Sequence, residues 1–196
     1  MKNLFFTVVM FSSMTTFLWA QDVQKTVFYL GGGPSFPITS MFSDCWETGF
    51  NVGGGIGYIA DRDFTLRGYL DYNRFGFYDS NILNIPGYNI SSSRDAINTI
   101  SLSAEIMTTF PLGDTVKIYF LSGLGYFRIS GGKIENGPAL FIIPSGDDIF
   151  VDFGIGLDFK INKKISFFTE FKYAIGFTYK QSTQYIPLRF GLSFKI

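Results

Sequence analysis

Histidine is absent from the 196 residues. That absence excludes a Ser-His-Asp triad, a His-bearing zinc site and any acid–base step by imidazole. Cysteine occurs once, at Cys45, so no intramolecular disulfide can form. Charge is scarce: Asp, Glu, Lys and Arg make up 16% of the chain, against about 25% in an ordinary soluble domain. The 16 basic residues balance the 16 acidic ones, so no basic face for nucleic acid is expected. Beyond Ala20 no apolar run is long enough for a transmembrane helix, which needs about 18 to 20 residues. What the chain does have is ring and backbone: 24 Phe, 11 Tyr and 22 Gly. A chain so rich in apolar surface is not disordered. Its length suits one domain rather than two.

Residues 1–20 read as a secretory signal peptide, with Lys2 and Asn3 ahead of an apolar stretch at 4–11 and a more polar stretch at 12–20. Ser12, Ser13, Thr15 and Thr16 interrupt the apolar run, so it is too short for an anchor. Cleavage after Ala20 leaves Gln21 first, although Leu18 stands where a small residue is preferred. No Cys lies at that junction, which argues against a lipoprotein anchor. Residues 21–196 are then the single mature domain.

From there the apolar pattern has period two. Ile149, Val151, Phe153, Ile155, Leu157 and Phe159 share one face, opposite Phe150, Asp152, Gly154, Gly156, Asp158 and Lys160. The alternation recurs at 165–177 and 188–196, and earlier at 50–58, 64–72 and 100–110. None of these apolar faces carries Asp, Glu, Lys or Arg. At 116–129 the apolar face is assigned to Ile118, Phe120, Leu124 and Tyr126, and at 26–35 the parity is ambiguous. The count is eight strands. Connections alternate in length: tight turns at 60–63, 111–114 and 161–163, built from Asp, Pro, Gly, Asn and Lys, and long stretches at about 37–46, 75–95 and 131–147. The last connection, near 180–183, is short. This is the plan of an all-β, antiparallel, up-and-down eight-stranded barrel.

Alternation alone does not say whether the apolar face meets a core or lipid. Two features favour lipid. The apolar faces end in aromatics (Phe50 and Tyr58, then Phe64 and Tyr72), as membrane interfaces require. The polar face mixes glycine with a few charges of both signs, at Arg67, Asp71, Glu105, Lys117, Asp152, Asp158, Glu170, Lys172 and Arg189, where a solvated exterior would be richer in Lys and Glu. A secreted lipocalin-like barrel is the competing reading, but Trp46 follows Asp44 and Cys45 rather than the Gly-x-Trp of lipocalins.

The phrases SGLGYFR (122–128), FGIGLDFKINKKISFFTEFKY (153–173) and PLRFGLSFKI (187–196) resemble the small eight-stranded outer-membrane barrels, the family of the OmpA transmembrane domain, OmpX and the opacity proteins. The resemblance covers about 25–196. It implies a transmembrane β-barrel in the bacterial cell outer membrane, expected as a monomer, with outer-membrane lipid, lipopolysaccharide included, around it. The family usually ends on Phe, whereas here Phe194 precedes Lys195 and Ile196. Lipid-modifying barrels of this size commonly rely on a His, which this chain lacks.

Other motifs read structurally. Gly31 to Gly33 and the glycines at 53–57 are not phosphate loops, since no helix follows them. Gly53, Gly55, Gly57, Gly123, Gly125, Gly154 and Gly156 instead make room in a narrow lumen for Arg67, Tyr69 and Tyr119. The inward charges are expected to satisfy one another as a plug, with Glu170, Lys172 and Arg189 close together. No catalytic residue, cofactor or metal site is assigned. The apolar residues Phe77, Tyr78, Ile82, Leu83, Ile85 and Tyr88, and Leu140 to Ile143, either extend strands above the membrane or form a surface for an extracellular ligand or partner protein. The expected role is non-enzymatic, structural or surface-interacting. A narrow porin-like channel is the first alternative and a lipid-modifying enzyme the second.

Overall fold

The computed structural model describes residues 25–39, 46–76, 96–130, 133–136, 139–142, 145–178 and 181–196. In chain order the strands are β1 (Thr26–Pro37), β2 (Gly49–Ile59), β3 (Phe64–Phe75), β4 (Ile97–Pro111), β5 (Val116–Ser130), β6 (Lys133–Asn136), β7 (Ala139–Ile142), β8 (Gly146–Lys160), β9 (Ile165–Thr178) and β10 (Gln181–Lys195). Eight of them close into a barrel in the order β1-β10-β9-β8-β5-β4-β3-β2. Every pairing in the wall is antiparallel; each joins wall strands consecutive in sequence except β1–β10, which closes the barrel, while β6 and β7 pair with each other in the connection between β5 and β8. Closure leaves no wall strand with an unpaired edge, the condition a strand must meet in lipid. The eight-stranded, up-and-down reading holds. The β6–β7 hairpin is an addition to it, lying within the third long stretch.

Local chemistry explains the sharp ends. Ile161 N donates to Ile165 O at 3.0 Å, while Asn162 Oδ1 accepts from the backbone of Lys164 at 2.8 Å and of Ile165 at 2.9 Å. An Asn side chain that takes two following amides holds a tight reversal without help from the rest of the fold. The turns after β2 and β4 close similarly, Ala60 N to Phe64 O at 2.9 Å and Leu112 N to Val116 O at 2.9 Å. These three reversals and both ends of the barrel chain lie at one rim, called here the turn end. The opposite rim is the loop end.

The faces fall as the alternation requires. Leu102, Leu124, Ile56 and Leu70 point outward and are more than half exposed, whereas Tyr69, Glu105, Phe168 and Arg189 point inward and are buried. Phe120, Leu124 and Tyr126 are outward, as assigned. The parity left open in the first strand resolves with Val27 and Tyr29 inward and Phe28 and Leu30 outward. On the outer face of the wall strands the charged side chains are Arg74, Arg128 and Asp147, all at the loop end, with Arg128 Nε 3.6 Å from Asp147 Oδ1. Between them and the turn end the exterior is apolar. The shortest wall strand, β2 with 11 residues, rises about 25 Å at ~3.3 Å per residue and a tilt of ~40°, the height of an outer-membrane apolar band.

One boundary is corrected. The last strand begins at Gln181, inside the connection placed near 180–183, and runs straight past Pro187. Its register to β9 is the same on both sides, Tyr185 opposite Ala174 and Leu188 opposite Phe171, with no pairing at Pro187 itself. The leader at 1–20, Cys45 and the apolar cluster at 77–88 lie outside the described residues.

Candidate functional site: a sealed, charged lumen

Seven charged side chains converge inside the barrel. Arg67 on β3 faces Glu105 on β4, its cross-strand partner, with Nε 2.5 Å from Oε2. Its Nη2 reaches across the lumen to Glu170 Oε2 at 2.8 Å. Glu170 on β9 also receives Arg189 Nη1 at 2.7 Å and the Tyr119 hydroxyl at 3.1 Å, so four donors and cations meet around it once Lys172, 3.8 Å away, is included. Lys172 bridges Glu105 at 2.5 Å and Asp152 at 3.0 Å. Arg189 Nη2 closes the set by binding Asp71 Oδ2. The belt holds three cations and four carboxylates, all with side chains at most 6% exposed.

Tyr69 sits at the hub of this belt. Its ring centroid lies 4.4 Å from Arg189 Cζ, 4.7 Å from Arg67 Cζ and 4.9 Å from Lys172 Nζ. An aromatic face is attractive to desolvated cations, so the ring adds negative potential among three positive groups without adding another formal charge. Glycine makes the room. A Cβ at Gly156 would overlap the Tyr119 ring, and one at Gly123 would collide with Asp152 and Glu105. Gly53 and Gly55 make room for Tyr69 and Gly156 for Tyr119, as expected, whereas Gly123 makes room for Asp152 and Glu105 and Gly125 lies against the backbone of Leu102 and Ser103.

Each end of the belt is closed by rings. Toward the loop end lie Trp46, Phe75, Ile97, Phe127, Ile129, Phe150, Ala174 and Tyr185, with Phe127 and Phe150 stacked at 6.0 Å and Phe75 edge-on to Tyr185 at 5.6 Å. Toward the turn end lie Val27, Tyr29, Met107, Leu121 and Phe168, with Tyr29 edge-on to Phe168 at 5.9 Å. Between belt and upper plug, Ser35 donates to Asn73 at 3.0 Å. Solvent does not reach the belt: Glu170 and Arg189 are 0% exposed and Arg67 1%.

The sequence-assigned inward residues divide in two. Arg67, Asp71, Glu105, Asp152, Glu170, Lys172 and Arg189 come together in the belt. Lys117 and Asp158 do not. They are cross-strand partners nearer the turn end, where Asp158 accepts from Ser193 at 3.5 Å. Sequence reasoning missed the plugs, above all Phe127, Phe168, Tyr185 and Trp46. Their signal was present as inward aromatics facing glycine, since a Cβ at Gly176 would meet Phe127 and one at Gly191 would meet Phe168. Among the described residues, no group of His, Cys, Asp or Glu is arranged to hold a metal ion.

A family model, the outer membrane protein beta-barrel domain, matches residues 4–195. The chain belongs to that family. It is a bacterial outer-membrane β-barrel protein, and its span in the match takes in nearly the whole sequence. The barrel is similar to the crystal structure of Neisserial surface protein A, at 17% identity and a TM-score of 0.60, covering 89% of this chain and 98% of that one. It is also similar to the N-terminal barrel of Pseudomonas aeruginosa OprF, at 17% identity and a TM-score of 0.51, covering 87% and 98%. A third likeness is to OprG of the same organism, at 10% identity and a TM-score of 0.54, covering 89% and 99%. At such identities these likenesses concern the fold alone. No curated protein matches the chain in sequence.

Proposed function

We propose that this outer-membrane barrel is non-enzymatic and acts through what its loop end contacts, with the loops outside the cell and both termini in the periplasm. The observation that carries the reading is the sealed lumen. A conducting barrel needs a continuous wet path, and here charge-paired side chains fill the middle while aromatic plugs close both ends. Eight strands leave an interior just wide enough for such packing. An enzyme needs a reactive group that substrate can reach, yet the lumen carboxylates are buried against cations. Lipopolysaccharide, a host surface or another protein at the loops are the partners this reading assigns, to a monomeric barrel.

Planar-bilayer recording of purified, folded protein tests it. The expected record is free of sustained openings. Steady conductance above the empty-bilayer baseline overturns the plug in favour of a narrow porin-like channel. Mass spectrometry of lipid A from cells with and without the gene is expected to give identical spectra, and a modified species would establish a lipid-modifying activity instead.

A further inference from the structure

The turn-end rim carries a charge pattern of which the lumen uses only part: Lys117 and Lys195 lie on inward faces beside Asp158, and the other lysines stand clear of it. Lys117, Lys160, Lys163, Lys164, Lys195 and Lys25 fall on β5, β8, the β8–β9 turn, β10 and the approach to β1. Those strands are consecutive around the wall, in the order β5-β8-β9-β10-β1. Backbone bonds stitch this arc together: Lys160 N to Thr115 O at 2.8 Å, and Lys195 N to Lys164 O at 2.8 Å. Lys160, Lys163 and Lys164 are exposed, and the other three are half-buried. Acidic side chains on the arc are limited, among the described residues, to half-buried Asp158, with Asp114 at its edge in the β4–β5 turn. The opposite arc is different, because the β2–β3 turn carries Asp61 and Asp63 against Arg62 alone. The rim is polarised around its circumference.

Phe28, Phe159 and Phe194 close the apolar exterior of β1, β8 and β10 at this level, while β5 and β9 end in Val116 and Ile165 with Phe120 and Phe167 further in. Aromatic belts mark the depth where acyl chains give way to headgroups. Exposed lysines within a few residues of such a belt, as Lys160, Lys163 and Lys164 are, extend their stems along the apolar rim and place the ammonium at phosphate level. Lys25 follows this course, with Nζ 5.9 Å from the ring centroid of outward Tyr58.

The geometry points to this arc as a binding surface for anionic phospholipid headgroups of the phosphatidylglycerol kind, held against one side of the barrel. A zwitterionic lipid offers the same phosphate but cancels it with its own ammonium, so only a net negative headgroup gains from the four lysines clear of the lumen, Lys25, Lys160, Lys163 and Lys164. Juxtamembrane basic clusters attract anionic lipid in this way, and salt screens the attraction over a distance of about 10 Å at 0.1 M. The surface is independent of whatever the loops bind.

Electron paramagnetic resonance of spin-labelled lipids tests it on the folded barrel in phosphatidylcholine vesicles. The fraction of label immobilised by protein gives relative association for phosphatidylglycerol and phosphatidylcholine probes. A preference for the anionic probe of about three-fold or more at low salt is expected, falling toward unity in 0.5 M salt. Lys160→Gln/Lys163→Gln/Lys164→Gln should abolish most of it, and the corresponding Arg triple variant, which keeps the charge, should retain it. Arg74→Gln/Arg128→Gln at the loop end should leave it unchanged. Equal immobilisation of both probes overturns the proposal. So does a preference that survives the Gln triple variant or disappears with the loop-end pair. Equal immobilisation together with arc-dependent capture of soluble anionic glycan fragments would assign the lysines to a cell-wall partner instead.

Discussion

Arg67 and Glu170 sit on the two sides of one ion pair, and neutralising each in turn separates two accounts of the belt. If the belt were a set of independent pairs, removing either partner would cost the same. The structure says otherwise. Glu170→Gln leaves Arg67 on Glu105, Arg189 on Asp71 and Lys172 on both Glu105 and Asp152, so every cation keeps a carboxylate. The belt also moves from four carboxylates against three cations to three against three. Its cost is then the mismatch of an amide among donors, about 1–3 kcal/mol. Arg67→Met moves the other way, to four carboxylates against two cations, and strips Glu105 and Glu170 of a shared guanidinium at 2.5 and 2.8 Å. Each carboxylate still keeps one cation, Glu105 and Asp152 on Lys172 and Glu170 and Asp71 on Arg189, but two negative charges are then in excess in a sealed belt, so the cost should approach that of breaking a buried pair, about 3–5 kcal/mol. Urea unfolding of barrels refolded into vesicles, read by Tyr and Trp fluorescence, should rank the chains as wild type, then Glu170→Gln, then Arg67→Met. The double variant should cost less than the sum of the two, because the groups share contacts. A Glu170→Gln barrel less stable than Arg67→Met would refute the charge count and with it the belt as a single unit.

Three further outcomes check the architecture. Unboiled protein should migrate apart from boiled protein on a denaturing gel, since every wall strand is paired on both sides; identical mobility with recovery in the soluble fraction would return the lipocalin-like reading. Leu102→Arg should lower refolding free energy by about 2–4 kcal/mol, as a charge at the lipid-facing midplane does, while Leu102→Met stays near wild type; equal stability of the two would place Leu102 away from acyl chains. Asn51→Leu should quicken backbone amide exchange across the β1–β10 pair by about five- to ten-fold and leave the β4–β5 pair alone, because its amide bonds the carbonyls of Gly33, Pro34 and Leu188 at 3.0, 2.9 and 3.2 Å. Exchange that stays even around the barrel would show that Asn51 does not hold that seam.

The outward face was legible in the sequence because lipid imposes one rule on every strand. Leu66, Leu70, Leu102, Ile106 and Leu124 all obey it, whatever lies behind them. The inward charges were legible for a related reason: a charge at a lumen position must find a partner inside, so Glu170 and Arg189, cross-strand neighbours, were expected together. What the alternation did not convey is height along the axis. Period two gives the face of Lys117 and Asp158 but not that strand stagger leaves them nearer the turn end than Arg67 and Glu170. Height also decides which inward aromatics form a plug. Phe127 lies on the polar face of its strand in the sequence, and only the register that sets it beside Phe150 and Tyr185 makes it a seal.

The β1–β10 seam shows how the last strand runs through a proline. Proline lacks an amide proton and normally ends a run of strand pairing, yet β10 continues through Pro187. In the barrel Pro34 lies next to it on the other side of the seam, and the register between β1 and β10 lapses at 33 and 34 before resuming with Ser35 opposite Pro187. The carbonyls of Gly33, Pro34 and Leu188 there take a side-chain donor. The side chain of Asn51, on the strand that flanks β1, supplies the missing hydrogens to Gly33, Pro34 and Leu188, and its oxygen lies 3.4 Å from Arg189 Nε in the belt. A third strand thus repairs the pairing of the first and last. The repair involves residues 17 to 18 and 137 positions apart in the chain, a separation no local pattern reports. It ties the closure of the wall to the charged belt: Arg189, through Asn51 and Glu170, touches both the seam and the centre of the plug.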